Sequence, residues 1–207
     1  VNPRSQNKAS VHPRLRTKLR ELAADTILEA AEQAFAELGL AAGMDAIATR
    51  AGVSVGTLYN HFRDRDTLVD AVFEARQSAL LERVQRAVQE SDMLPFRQRL
   101  VVVLEAVHAS VAPNARFRQV FLLAELRKPR KKAIAERFGA ALLPVLEQGQ
   151  REGEVRPDPH QLHAAFLMGL LHTAFVMSYD HPNRLPRDRV AALVVEQFLD
   201  GARGVQP

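Results

Sequence analysis

The sequence contains no cysteine and no tryptophan, and only two tyrosines. The missing thiols exclude disulfides, cysteine-ligated zinc, iron–sulfur clusters and thiol catalysis, so the expected location is a reducing cytoplasm. A glycine-rich phosphate loop and a nucleophile elbow are also missing, and neither a metal site nor a cofactor is expected. Acidic residues are absent from the first 20 positions, which carry Arg4, Lys8, Arg14, Arg16, Lys18 and Arg20 without an apolar stretch, unlike a secretory signal. Uncharged runs are scarce. The long one, residues 160–179, has no Lys, Arg, Asp or Glu and about the length of a bilayer span, but it holds three histidines and a glutamine. It is expected to be a helix buried on most sides of a protein core, not a membrane segment.

What is present suffices for a core. The 207 residues are 47% hydrophobic and 25% charged, enough to bury an interior without covalent staples. The net charge of +4 is unevenly spread: residues 1–20 carry +6, residues 21–62 carry −5, and the remainder +3. A basic segment ahead of an acidic body suits a polyanion partner, although a solvated, flexible start has the same composition.

Apolar residues recur at three and four positions, the helical period, and no segment alternates as a strand would. Leu19, Leu22, Ile27, Ala30, Ala31, Ala34, Phe35 and Leu38 mark a helix over about 17–38, closed by Gly39. Short helices follow over about 44–51 and up to Phe62. Asp64-Arg65-Asp66 opens a long helix to about residue 89. Prolines then punctuate helices over about 95–111, 114–127, 131–152, 158–179 and 186–202, with Pro144 expected to kink or interrupt the third of these.

The informative stretch is residues 47–62, IATRAGVSVGTLYNHF. It reads as a helix-turn-helix: Gly52 is suited to the left-handed turn that ends one helix, and Ser54 to capping the next. Val53 and Leu58 have the spacing of a hydrophobic staple. Leu58 and Phe62 face inward, leaving Gly56, Thr57, Tyr59, Asn60 and Arg63 on an outer arc. Gly56, without a side chain, lets the helix N-terminus come close to a phosphate or base edge. Thr57 and Asn60 are suited to bases, Tyr59 and His61 to phosphates.

These residues, with Ala30-Ala31, Phe35, Gly39 and Leu68, resemble the N-terminal domain of the TetR family of bacterial transcriptional regulators over about residues 17–70. The resemblance implies an all-α chain: a basic arm (1–16), a three-helix helix-turn-helix domain (17–63), and a larger helical domain (64–207) that binds a small molecule and dimerises through its last two helices. It implies a recognition helix over 55–62 with Thr57, Tyr59 and His61 toward DNA, and Arg65 at the backbone. The candidate DNA contacts are thus Lys18, Arg50, Ser54, Val55, Gly56, Thr57, Tyr59, Asn60, His61 and Arg65. Two features depart from the family pattern. The loop Leu40-Ala41-Ala42-Gly43 is short and lacks a Ser or Thr cap, and Ala23-Ala24-Asp25 replaces the basic residue usual before the first helix's apolar start.

In the larger domain the ligand candidates are Leu104, His108, Phe117, Phe121, Leu142, Phe166, His172 and Phe175, with Phe138, Met168, Met177 and Tyr179 beside them. Each also suits ordinary core. Glu105 and His108 have the Glu-x-x-His spacing of di-iron bundles, but the second copy such sites need is missing. His160 and His163 share a helix face in what reads as a partly exposed first turn. The run Arg127-Lys128-Pro129-Arg130-Lys131-Lys132 suits either a solvated loop or a second contact with nucleic acid or an acidic ligand. Val190, Leu193, Val194 and Phe198 form one apolar face, expected to join the 160–179 helix in a symmetric four-helix interface. The expectation is a non-enzymatic homodimer that represses transcription from an inverted-repeat operator on double-stranded DNA until a small-molecule effector releases it. An activator or ligand-independent binder on the same fold, and more remotely a helical carrier or enzyme, are the alternatives.

Overall fold

The computed structural model describes residues 13–111, 131–180 and 185–202, which contain helices and turns and no strand. The chain divides into two compact units, residues 1–72 and 73–207.

The first unit begins with α1 (Pro13–Leu38). Ile27, Ala30, Ala31, Ala34 and Phe35 recur at helical spacing and are all buried, so burial of this stripe holds the helix. The helix starts four residues before the expected position. Pro13 stands at a first helical position, where its missing N–H costs nothing, and Arg14 to Leu22 include strong helix formers. The segment expected as a flexible arm is therefore helical from residue 13 onward. Gly39, at φ 71°, ends α1 and leads through a short 3-10 turn to α2 (Met44–Ala51). Met44, Ile47 and Ala48 of α2 are buried, as are Leu58 of α3 (Val55–His61) and the following Phe62.

The long α4 (Arg65–Glu90) runs from the first unit into the sequence of the second. Its start is fixed by Asp64, whose carboxylate accepts from the Thr67 N–H at 2.8 Å and the Thr67 hydroxyl at 2.6 Å. Leu68, Val69 and Val72 are buried in the first unit.

The second unit contains α5 (Phe96–Val111), α6 (Lys131–Arg151), α7 (His160–Asp180) and α8 (Val190–Ala202). Its core includes Val84, Phe96, Leu100, Leu104, Leu142, Leu146, Leu167, Val194 and Leu199. Of the expected kink or interruption at Pro144, the interruption does not occur: α6 is continuous through it. Pro144 and Ala140 are exposed, so the carbonyl deprived of its helical donor faces water. At the end of α6, Gly149 lies against Phe96 so closely that a Cβ there would fall 2.6 Å from the ring and 2.8 Å from Val155. The buried Arg99 donates to Gln148 at 2.7 Å and to the Val88 carbonyl at 3.0 Å, tying α5, α6 and the end of α4 together.

Two expectations about the last helices are corrected. The apolar face of α8 is turned inward: Val190, Val194 and Phe198 are buried in the chain's own core, leaving Leu193 half-buried. By contrast α7 is not buried on most sides, because Leu162, Phe166, Leu170 and Met177 form an exposed stripe along it. Only 33% of its most apolar stretch, His160–Ser178, is buried, and length and hydropathy alone would let that stretch cross a membrane.

Candidate nucleic-acid interface

The turn between α2 and α3 is built by local chemistry. Gly52 adopts φ 68°, and the Gly52 and Val53 N–H groups close back onto the Thr49 and Ala48 carbonyls at 3.2 and 3.0 Å. That pair of bonds satisfies carbonyls a helix end leaves open, and the positive φ favours glycine. Ser54 then caps α3, its hydroxyl accepting from the Thr57 N–H at 3.0 Å. With Leu58 buried and Val53 half-buried, α3 is anchored on one side only.

The other side of α3 faces outward. Gly56, Tyr59 and Asn60 are exposed, Tyr59 at 48%, whereas Val55, Thr57 and His61 are half-buried. The Thr57 and Ser54 hydroxyls are 2.8 Å apart, which orients Thr57 beside the first turn. The His61 ring lies 6.4 Å from the Phe62 ring. The surface is polar, rich in donors and acceptors, and has no lysine or arginine between residues 55 and 61.

The flanking candidates separate. Lys18 is exposed on the first turns of α1. Arg65 is half-buried and donates to the Ala42 carbonyl at 3.4 Å, linking the start of α4 to the loop before α2. Arg50 is engaged elsewhere: both guanidinium ends meet Glu37 of α1, one at 3.0 Å, with Gln33 at 3.5 Å. It braces α2 against α1, a role that sequence spacing does not reveal because the partner lies 13 residues upstream on another helix. The absence of a Ser or Thr before α2 has its expected effect, since Gly43 holds the N-cap without a side-chain hydrogen bond. Arg63 pairs with Asp64 at 3.1 Å. The Thr67 hydroxyl and then the Thr67 N–H, with Arg63 behind them, hold the Asp64 carboxyl at about 2, below its usual 3.8.

The described ligand candidates do not form one cluster. Leu104, Leu142 and Phe175 are buried in the second unit, and the half-buried His108 meets Phe175 edge-on with ring centres 5.3 Å apart. Phe166 and His172 are corrected away from this group, because they stand on the exposed side of α7. Phe117, Phe121 and residues 127–130 lie outside the described residues, and so do the side chains of Lys131, Lys132 and Tyr179. An open hollow of about 350 Å³ lies beside Glu147, Gln150 and Arg151, which the sequence reading did not single out. His163 is buried, against the expectation of a partly exposed first turn. Its Nε2 lies 3.0 Å from the Arg156 carbonyl and its ring is edge-on to Phe198 at 5.8 Å.

A glycine-terminated helix, a serine-capped second helix and a polar outer arc above a buried leucine define a helix-turn-helix DNA-binding regulator. Residues 27–72 match the family described as bacterial regulatory proteins, tetR family. Residues 27–72 thus carry the DNA-binding domain of the TetR family of transcriptional regulators. It is 27% identical over 190 residues to the uncharacterized HTH-type transcriptional regulator YhgD of Bacillus subtilis (strain 168), covering 84% of this chain and 94% of that one. The HTH-type transcriptional activator FasR of Mycolicibacterium smegmatis is 41% identical over 81 residues, 39% of this chain and 36% of that protein. In fold the chain is similar to the crystal structure of the Bacillus subtilis transcriptional regulator FadR in complex with stearoyl-CoA. That similarity has a TM-score of 0.70 at 19% identity, covering 86% of this chain and 98% of the other.

Proposed function

We propose that this regulator is a homodimeric repressor that binds an inverted-repeat operator through α3 and is released by a small-molecule effector. The observation that carries this reading is the outward arc of α3, where Gly56, Tyr59 and Asn60 are exposed beside the capped first turn. Ser54, Val55, Gly56 and Thr57 sit at the helix N-terminus, where backbone N–H groups favour phosphate, and Thr57 and Asn60 read base edges. Tyr59, His61, Lys18 and Arg65 serve the backbone, and Arg50 keeps α2 in place for them.

Dimerisation is supported by the exposed α7 stripe, since four large apolar side chains on one face gain from being covered by the same face of a second copy. Two α3 helices about one turn of DNA apart then meet successive major grooves. An effector is supported by the stearoyl-CoA complex of FadR, a protein of the same fold. Its preferred state shifts α4, changes the separation of the recognition helices and lowers operator affinity, by at most its own preference between the two states. The site of action is the cytoplasm, where the operator lies, and no catalysis is involved. A second reading, activation, is favoured by the relative FasR, an HTH-type transcriptional activator.

The test is selection of genomic fragments by the purified protein at fixed salt. Recovery of a short inverted repeat overlapping a promoter supports repression, and an upstream position supports activation. Weak, sequence-independent binding would overturn both.

A further inference from the structure

The DNA-binding unit has an electrostatic problem. Residues 21–62, which include all of α2 and α3, carry −5, and α3 has no Lys or Arg. Arg50 is taken up by Glu37 and Arg63 by Asp64. A body of this charge approaching a phosphate backbone is repelled, because sequence-independent attraction comes from cations placed against phosphates.

Among the described residues, a cluster of cations lies on the start of α1. Arg14, Arg16, Lys18 and Arg20 are all exposed and all helical, well before Ile27, the first buried residue of that helix. At helical spacing Arg14 and Lys18 lie one turn apart on one flank, Arg16 and Arg20 on the other, with Leu15, Leu19 and Leu22 between them at 51%, 52% and 54% exposure. This placement works against the helix itself. Its first turn has no acidic residue, and positive charge near a helix N-terminus opposes the macrodipole. The extension therefore gains little from burial and loses something to its own charge.

We propose that the first two turns of α1, residues 13–20, are the principal phosphate-binding element of this regulator, a helical contact continuous with the helix-turn-helix unit. The proposal rests on the DNA-binding reading above and adds to it a division of labour: α3 supplies sequence discrimination, and the α1 extension supplies most of the salt-dependent affinity.

The experiment uses the full-length protein and the inverted repeat recovered by fragment selection, with a scrambled duplex beside it. Affinity is measured across a salt series for the wild type and for a variant with Arg14→Gln, Arg16→Gln, Lys18→Gln and Arg20→Gln. A control variant with Arg83→Gln, Arg86→Gln, Arg137→Gln and Arg151→Gln loses the same charge from the second unit. Four phosphate contacts contribute about 3.6 per protomer to the slope of log affinity against log salt. The expected result is a slope flattened by that order in the α1 variant alone, with the preference for the repeat over the scrambled duplex retained. A triple Lys variant at the three arginines should restore the slope. Equal slopes in the wild type and the α1 variant, or equal flattening in the control, would overturn the proposal. So would an unchanged DNA slope accompanied by loss of binding to phosphatidylglycerol vesicles, which would assign the leucine and arginine face to a lipid surface. If the wild type does not distinguish the repeat from the scrambled duplex, the repressor reading fails, and this inference fails with it.

Discussion

A methyl group added at Gly56 would meet only the Ser54 hydroxyl, at 3.9 Å, an ordinary contact. Nothing among the described residues therefore requires glycine there, and its φ is not in the left-handed range. Gly56→Ala should leave thermal stability unchanged or raise it by up to about 1 kcal/mol, as helix propensity suggests. Operator affinity should fall by about tenfold or more, about 1.4 kcal/mol, as a titration would show. Asp64 gives a pH dependence. Its carboxyl is held at about 2, below 3.8, so its capping contribution is complete above 3.8 and fades as pH falls toward 2. The stability gap between the wild type and Asp64→Ala, followed by denaturation at successive pH values, should stay constant from neutral pH to about 5 and narrow below it. Residues whose partners lie within a turn were legible in the sequence, as Gly52 and Ser54 show, because their bonds close at fixed short offsets. The Arg50–Glu37 brace was not, since its partner is chosen by how two helices pack.

At the level of elements, Gly149 is the counterpart of Gly56. Alanine is the better helix former, yet a Cβ at 149 would fall 2.6 Å from the Phe96 ring, and Phe96 is fully buried. Gly149→Ala should cost about 1–3 kcal/mol, as overpacking does, and chemical denaturation would show it. The exposed stripe on α7 carries a different expectation: Phe166→Glu or Leu170→Glu should shift the protein from dimer to monomer in sedimentation without loss of helix. Helix existence was legible because the 3.6-residue period of α1 and α4 is long and regular, and the start of α1 was missed by four residues because Arg14, Leu15 and Arg16 are exposed and no buried stripe marks them. Which amphipathic face is covered by the chain itself, and which awaits a partner, was not legible. Val194 and Phe198 of α8 and Phe166 of α7 are equally apolar in sequence, and only packing sends the first two inward.

For the whole molecule, sequence, structure and comparisons converge on a transcriptional regulator with a TetR-family DNA-binding domain, and the proposed DNA-reading surface lies on the seven residues of α3. The candidate ligand residues were less legible, because phenylalanines and leucines that fill a core and those that line a cavity share one composition. Leu104 and Leu142 are fully buried, while Phe166 and His172 face outward. The most direct measurement is the ratio of affinities for the selected operator and a scrambled duplex at one fixed salt concentration, for the wild type and for Thr57→Ala with Tyr59→Ala. The ratio should be about a thousandfold or more for the wild type and should collapse toward unity in the double variant, with its circular dichroism unchanged. A ratio that survives the double substitution would contradict the claim that α3 reads the operator.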